Sequence, residues 1–263
     1  MKLVPNLPFI TDILIKTSQY IQKNVSRNFS YTDVKGYLAE GDVAADKYIK
    51  NLVIEQFPNS LILSEEDTDK FSFDLSDDGY LWIVDPICGT ANYCRNIPLY
   101  VHSLSVIDNK GVLYAGIYDP NRDELFLADR DKTTLNGKRV YTSQTKKLED
   151  AFISVNCNQS VCKDGDMDIV TIVSKFAPPI TRRVKIFESA NLELAYVACG
   201  RLDGYVNLSD KVWDIATGSL MVNSALGENR INGSLVPFDR NLKGIVSSNQ
   251  YLMGSLLRCL GKK

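Results

Sequence analysis

The sequence contains a single histidine, His102, among 263 residues. A zinc site built from several histidines is therefore excluded, and a histidine-based catalytic triad would have to use this one residue. Aspartate and glutamate, by contrast, number 32. If the chain is an enzyme, we expect its acid–base and metal chemistry to rest on carboxylates.

Long apolar runs and an excess of positive charge are also absent. No stretch is long enough to span a bilayer, and Pro5 and Pro8 interrupt the start of the chain, which does not look like a secretory signal. Lysine and arginine number 30, giving a net charge of −2, so nothing global favours nucleic acid. We expect a cytoplasmic protein with neither a membrane nor a nucleic-acid partner.

Cysteine is present six times but never as a CxxC pair. The positions are Cys88, Cys94, Cys157, Cys162, Cys199 and Cys259. A chain of this size does not need disulfides, so we predict free thiols that mostly serve as small core residues. Cys88 is the exception, for the reason given below.

Apolar periodicity divides the chain into two halves. In residues 1–145 it predicts helices over 9–25 and 43–57, and strands over 61–63, 80–84, 104–107, 112–118 and 124–128. In residues 146–263 it predicts strands over 152–155 and 205–206 and helices over 168–176, 190–199 and 213–226. We therefore expect an N-terminal α+β half with a mainly antiparallel sheet, a C-terminal α/β half, and an active site in the cleft between them.

Acidic residues follow several of these elements. Glu65-Glu66-Asp67 follows a strand, Asp85 follows the strand that ends at Val84, and Asp214 opens a helix. Each has a simpler interpretation when it is taken alone: a solvated turn for residues 65–67, a simple turn for Asp85 and a helix cap for Asp214. When they are taken together, they indicate a metal site, because carboxylates at strand ends line crevices and oxygen donors of this kind suit Mg²⁺. The Gly89-Thr90 step brings amide groups toward a helix start, which favours phosphate binding.

Four segments carry a more specific pattern. Residues 82–93, WIVDPICGTANY, look like W-[IV]-[IV]-D-P-[IL]-D-G-T-x-N-[FY], and residues 62–66, ILSEE, look like I-L-G-E-E. Residues 213–218, WDIATG, look like W-D-x-A-[AG]-G, and residues 190–205, ANLELAYVACGRLDGY, look like A-A-L-x-L-x-Y-V-A-x-G-x-L-D-G-[YF]. The chain resembles the inositol monophosphatase family of metal-dependent phosphatases, and the last segment is most similar to its archaeal branch.

The resemblance implies a layered αβαβα sandwich of the inositol monophosphatase/fructose-1,6-bisphosphatase type. It also implies a homodimer that hydrolyses a small phosphorylated metabolite, such as inositol 1-phosphate or fructose 1,6-bisphosphate. Hydrolysis would be a direct in-line displacement by a water activated by two or three Mg²⁺ ions.

The resemblance also implies metal ligands. Glu65, Asp85 and the carbonyl of Ile87 would hold the first Mg²⁺. Asp85 would bridge to a second ion, held by residue 88 and Asp214. Glu65 together with Thr90 would orient or activate the attacking water.

Further residues receive implied supporting roles. Asp46 would support Thr90, and the amides of Cys88, Gly89 and Thr90 would receive the phosphate. A last set would lie near the rest of the substrate: Ser189, Asn207 and Lys211. Asn207 stands where inositol-selective members have an acid, which weakens the case for strict inositol selectivity.

Position 88 departs from the family pattern, because Cys88 stands where the metal-binding aspartate is expected. Three hypotheses follow. The second ion binds weakly through Asp85 and Asp214, with water in place of the carboxylate. Alternatively the chain has lost most of its activity and binds phosphorylated ligands or a partner. In a third, a thiolate ligand shifts the metal preference toward zinc or manganese.

Overall fold

Two large sheets, one two-stranded sheet and seven α-helices make up the described part of the computed structural model, which comprises residues 4–32, 36–67, 79–156, 168–232 and 243–261. The helices are α1 (Leu7–Asn24), α2 (Glu40–Gln56), α3 (Thr90–Cys94), α4 (Ile169–Phe176), α5 (Ala190–Ala198), α6 (Val212–Ser224) and α7 (Met253–Cys259). A small antiparallel hairpin, β1 (Phe29–Thr32) with β2 (Gly36–Ala39), precedes α2.

The first large sheet has seven strands in sequence order. They are β3 (Leu61–Ser64), β4 (Leu81–Cys88), β5 (Val101–Asp108), β6 (Gly111–Asp119), β7 (Glu124–Ala128), β8 (Thr133–Leu135) and β9 (Lys138–Val140). In this sheet β3 and β4 pair in parallel and the other pairs are antiparallel, including the predicted meander of β5, β6 and β7. The sequence analysis did not predict β8 and β9.

The second sheet has five strands in the order β11-β10-β12-β14-β13. They are β10 (Phe152–Val155), β11 (Arg183–Lys185), β12 (Gly204–Asn207), β13 (Gly227–Asn232) and β14 (Lys243–Asn249). The first three neighbours are parallel and the last two pairs antiparallel. The sequence analysis predicted β10 and β12 but no strand over residues 227–249.

The core shows how the layers stack. Along β4, Trp82 and Val84 pack with α1 and α2, whereas Leu81 and Ile83 pack with α5 and α6 on the other face. The second sheet packs against α5 and α6 on the side away from the first sheet. The helices α4 and α7 pack against the other face of the second sheet. The resulting αβαβα sandwich confirms the predicted fold class. Since β4 lies between two helical layers, all eight of its residues are buried.

Two further expectations concern the chain as a whole. The described cysteines, Cys88, Cys94, Cys199 and Cys259, are free thiols, while Cys157 and Cys162 lie outside the described residues. None of the helices described is long and apolar enough to cross a membrane.

Candidate active site

The parallel pairing of β3 and β4 brings two acidic residues to one edge of the first sheet. Ser64 pairs with Val84, and the Glu65 amide donates to the Val84 carbonyl at 3.1 Å. Glu65 thus leaves β3 beside Asp85, which is only 1% exposed. The ends of two neighbouring strands therefore bring the two carboxylates to one place.

A β-bulge in β4 determines where the next side chains point. Asp85 lies opposite Ser103 and Cys88 opposite Val101, so two residues of β4 face the single residue His102. In a regular strand, side chains three apart point to opposite faces, whereas the bulge lets Asp85 and Cys88 share one site. His102 Nδ1 donates to the Pro86 carbonyl at 2.6 Å, and burial lowers the pKa of His102 so that its ring stays neutral. The single histidine therefore supports the bulge.

Asp214 completes a group of three donors at this point, which we call the second-ion group. The ligand atoms of Asp85, Cys88 and Asp214 all lie within 4.8 Å of one another. Asp214 lies in the first turn of α6, where its Oδ2 accepts from the Lys211 amide at 2.9 Å. The resemblance assigned these three positions to one ion, and the fold brings them together.

Burial and mutual repulsion dominate the electrostatics of the site. Burial raises the pKa of Glu65 well above its usual range, with added repulsion from Asp85, Asp214 and Asp42. Burial and Asp214 raise the pKa of Asp85 in the same way, and burial raises the pKa of Asp214 to about 6. We call these four carboxylates the acidic cluster. A bound cation would reduce the repulsion among these carboxylates.

Cys88 differs from its neighbours in chemistry. Burial, and then the charges of Asp85 and Asp214, raise the pKa of the Cys88 thiol well above its usual range. The thiol therefore favours its protonated form beside these carboxyl groups. A neutral sulfur is a poor donor for Mg²⁺, so the acidic cluster fits this ion through its oxygens and not through residue 88.

The partner of Thr90 corrects one prediction. Thr90 Oγ1 donates to Asp42 Oδ1 at 3.0 Å, with the Ile87 carbonyl as a second acceptor at 3.2 Å. Asp46, the predicted partner, instead binds Lys50 at 2.8 Å. Asp42 is 2% exposed and lies one helical turn before Asp46 in α2. The supporting role therefore belongs to Asp42.

Contacts with Ser189 and Leu99 fix the position of the Cys88-Gly89-Thr90 loop. Ser189 Oγ donates to the Cys88 carbonyl at 2.8 Å, and Ser189 is 1% exposed. Gly89 has φ +99°, and a Cβ there would lie 2.9 Å from the Leu99 carbonyl oxygen. Ser189 was predicted to bind substrate; the structure gives its hydroxyl to the loop instead.

We expect Gly89→Ala to destabilise the protein more than Gly137→Ala. Both glycines have positive φ, which costs alanine about 1–2 kcal/mol, but a Cβ at Gly137 meets nothing within 4 Å. At Gly89 the clash with the Leu99 carbonyl adds to that cost. Urea unfolding of the two variants measures the difference. Equal losses would show that the loop relaxes freely.

Asn207 and Lys211 were also predicted to contact substrate, and these contacts stay predictions. Asn207 is 2% exposed; its amide nitrogen donates to Asp210, and its Oδ1 accepts from the Ser209 amide at 2.9 Å and hydroxyl at 2.8 Å. The side-chain amide therefore stabilises the turn after β12. Lys211 lies directly before α6, and its charge lowers the pKa of Asp214 against the larger effect of burial.

Two residues at the site were missed. Asp210 is buried, accepts from the Tyr205 hydroxyl at 2.8 Å and has its pKa raised by burial and by Asp214. Asn191 is fully buried, and its amide nitrogen lies 3.1 Å from Asp85 Oδ2. The only available signal for Asn191 was that it stands at the second alanine of the A-A-L pattern.

Comparisons with known proteins show which proteins this chain is similar to. Residues 6–260 match the model of the inositol monophosphatase family. An inositol monophosphatase of Dictyostelium discoideum is 28% identical over 220 residues, covering 82% of this chain and 80% of that protein.

Two more similarities extend the comparison. A protein of Xylella fastidiosa named Nus factor SuhB is 32% identical over 194 residues, covering 73% of this chain and 67% of that protein. The solved structure of an IMPase from Thermotoga maritima matches with a TM-score of 0.81 at 26% identity, covering 97% of this chain and 96% of that one.

Proposed function

The chain belongs to the inositol monophosphatase family, and from this premise we propose that it is a Mg²⁺-dependent phosphatase acting on phosphate monoesters of inositol or small sugars. Inositol 1-phosphate and fructose 1,6-bisphosphate are the first candidates. The observation that carries the proposal is the acidic cluster beside the Gly89-Thr90 loop. It combines oxygen donors for a divalent cation with amides suited to a phosphate.

Oxygen donors at the ends of β3 and β4 would hold the metal. They are the Glu65 and Asp85 carboxylates and the Ile87 carbonyl. Asp85 Oδ1 is buried with no hydrogen-bond partner among the described residues, as expected of an atom meant for a cation. Bound Mg²⁺ would lower the pKa of a water and stabilise charge on the phosphate oxygens.

Glu65, Thr90 and Asp42 would prepare the attacking water. With its proton directed to Asp42, the Thr90 oxygen keeps its lone pairs available to accept a hydrogen bond from water. Glu65, at the end of β3 beside Asp85, would accept a proton from this water as a general base. Together these groups would orient the water toward phosphorus.

A second candidate function follows from Cys88. In place of turnover, the chain would bind phosphorylated ligands or a partner protein, since one metal-ligand position holds a protonated thiol. The relative named Nus factor SuhB shows that the family also contains members named for something other than hydrolysis.

Phosphate release decides between the two candidates. We expect purified protein with millimolar Mg²⁺ to release phosphate from inositol 1-phosphate or fructose 1,6-bisphosphate. Glu65→Gln should abolish most of this release, whereas the adjacent Glu66→Gln should retain it. No release from either ester, nor from a nucleotide bisphosphate, would refute the phosphatase and leave ligand binding as the function.

A further inference from the structure

Asn191 contacts two members of the second-ion group. Its side-chain nitrogen donates to Asp85 Oδ2 at 3.1 Å and to the Trp213 carbonyl, next to Asp214, at 3.2 Å. Its backbone amide lies 3.3 Å from Cys88 Sγ. The side chain is completely buried. An amide thus lies where the chain collects the donors expected for a cation.

The direction of these hydrogen bonds is informative. Asn191 donates both of its side-chain hydrogens, one to the Asp85 carboxylate and one to the Trp213 carbonyl, while its own Oδ1 is buried without a hydrogen-bond partner among the described residues. A cation and an N–H group meet a similar requirement, because each presents positive charge to an oxygen. The Asn191 N–H therefore presents positive charge to an Asp85 oxygen at the place where a second ion would do so.

The hydrogen bond from Asn191 changes which Asp85 oxygen is available to a metal ion. A carboxylate that binds one ion through each oxygen needs both oxygens. Of the two Asp85 oxygens, Oδ2 accepts from Asn191, whereas Oδ1 has no hydrogen-bond partner among the described residues. Asp85 Oδ1 is therefore the oxygen most available to an ion.

Cys88 and Asn191 act on the same ion. Where the family pattern has aspartate and alanine, this chain has a thiol and an amide, and Cys88 Sγ accepts from the backbone N–H of residue 191. The thiol removes a ligand, and the amide takes an oxygen of the bridging carboxylate. Both changes weaken the binding of the same second ion. We therefore interpret Cys88 and Asn191 together as a replacement for the aspartate and alanine of the family pattern.

We propose that the Asn191 amide takes the place of the second divalent cation. The chain would then bind its metal through Glu65, Asp85 Oδ1 and the Ile87 carbonyl, with one ion fewer than a centre that has aspartate at position 88 and alanine at position 191. This inference deepens the proposed phosphatase and rests on its metal requirement. It concerns the number of ions, which is measured without substrate.

Electron paramagnetic resonance with Mn²⁺ counts the ions directly. The proteins compared are the wild type, Cys88→Asp, Asn191→Ala and the double variant. We expect the double variant to bind one more Mn²⁺ per chain than the wild type. Each single variant should bind that ion at least tenfold more weakly than the double variant. If Asn191→Ala fails to fold by circular dichroism, Asn191→Ser replaces it, since serine also lacks the amide.

Three results would overturn the inference. The wild type could bind as many ions as the double variant. Either single variant could match the double variant, so that its partner residue has no effect. Loss of an ion from the wild type upon Asn191→Ala would identify Asn191 as a ligand. Failure of the phosphatase proposal looks different, because the extra ion would then be bound without phosphate release by any of the four proteins.

Discussion

Asp42→Ala is expected to lower kcat about 100-fold, a typical effect for a group that prepares a proton transfer, with little change in KM. Asp42 accepts the Thr90 hydroxyl at 3.0 Å, and without it the Ile87 carbonyl at 3.2 Å becomes the acceptor. The hydroxyl would then turn away from the orientation proposed for activating water. Steady-state phosphate release with the best ester found gives kcat and KM separately.

Asp46→Ala is the matched control. Both aspartates lie in α2 one turn apart, and alanine favours the helix at either position. Asp46 binds Lys50, so its loss should change kcat only a few fold. Asp42→Asn, which keeps an acceptor oxygen, should recover part of the activity lost in Asp42→Ala. Equal losses in the two alanine variants, or no recovery by asparagine, would contradict the role given to Asp42.

The choice between these two aspartates shows where sequence reasoning reaches its limit. The metal-ligand candidates Glu65, Asp85 and Asp214 could be predicted because each follows a recognisable apolar strand or opens a helix, within a specific motif. Asp42 and Asp46 share one face of a helix, since residues four apart overlie one another. Only the packing of α2 against the Gly89-Thr90 loop determines which one reaches Thr90.

The bulge in β4 could not be predicted from the sequence, for a related reason. The apolar run before Asp85 predicted a strand, and β4 confirms it. Register between β4 and β5 is set by residues about 20 positions apart in the chain, and no local pattern records that His102 faces two residues. The shared position of Asp85 and Cys88 therefore follows from tertiary structure, although the motif named both.

At two positions the family resemblance did indicate the backbone conformation, because glycine in a family pattern often marks a positive φ. Two further segments, NIP at residues 96–98 and ESA at residues 188–190, resemble G-I-P and G-S-A of the family, so Asn96 and Glu188 stand where the family usually has glycine. Both residues adopt positive φ, 56° and 55°. Asparagine tolerates this conformation better than glutamate does. The departures from glycine were visible in the sequence, whereas the strained conformation at Glu188 required the fold.

In metal-free buffer, the free energy of unfolding is expected to fall as the pH rises from about 4 to about 7. Raised pKa values mean that folded Glu65, Asp85 and Asp214 bind more protons than the unfolded chain in this range. Their contribution is present at low pH and is lost as the pH rises through the folded pKa, which for Asp214 is about 6. Glu193, with its pKa raised to about 7 by burial, adds to the trend. His102 opposes it, because its lowered pKa favours folding as the pH approaches 6.5.

Mg²⁺ should reverse this loss, since it binds the deprotonated carboxylates of the folded state. At a concentration 100 times its Kd, a bound ion adds about 2.7 kcal/mol, and this increment should grow with pH. Urea unfolding in chelator and in Mg²⁺ across the range measures both effects. Glu65→Gln, which removes one repelling charge and one ligand, should be more stable than the wild type in chelator at pH 7 and should gain less from Mg²⁺. Stability that rises with pH in chelator would contradict the raised pKa values, and an equal Mg²⁺ increment in the variant would show that Glu65 is not a ligand of the ion.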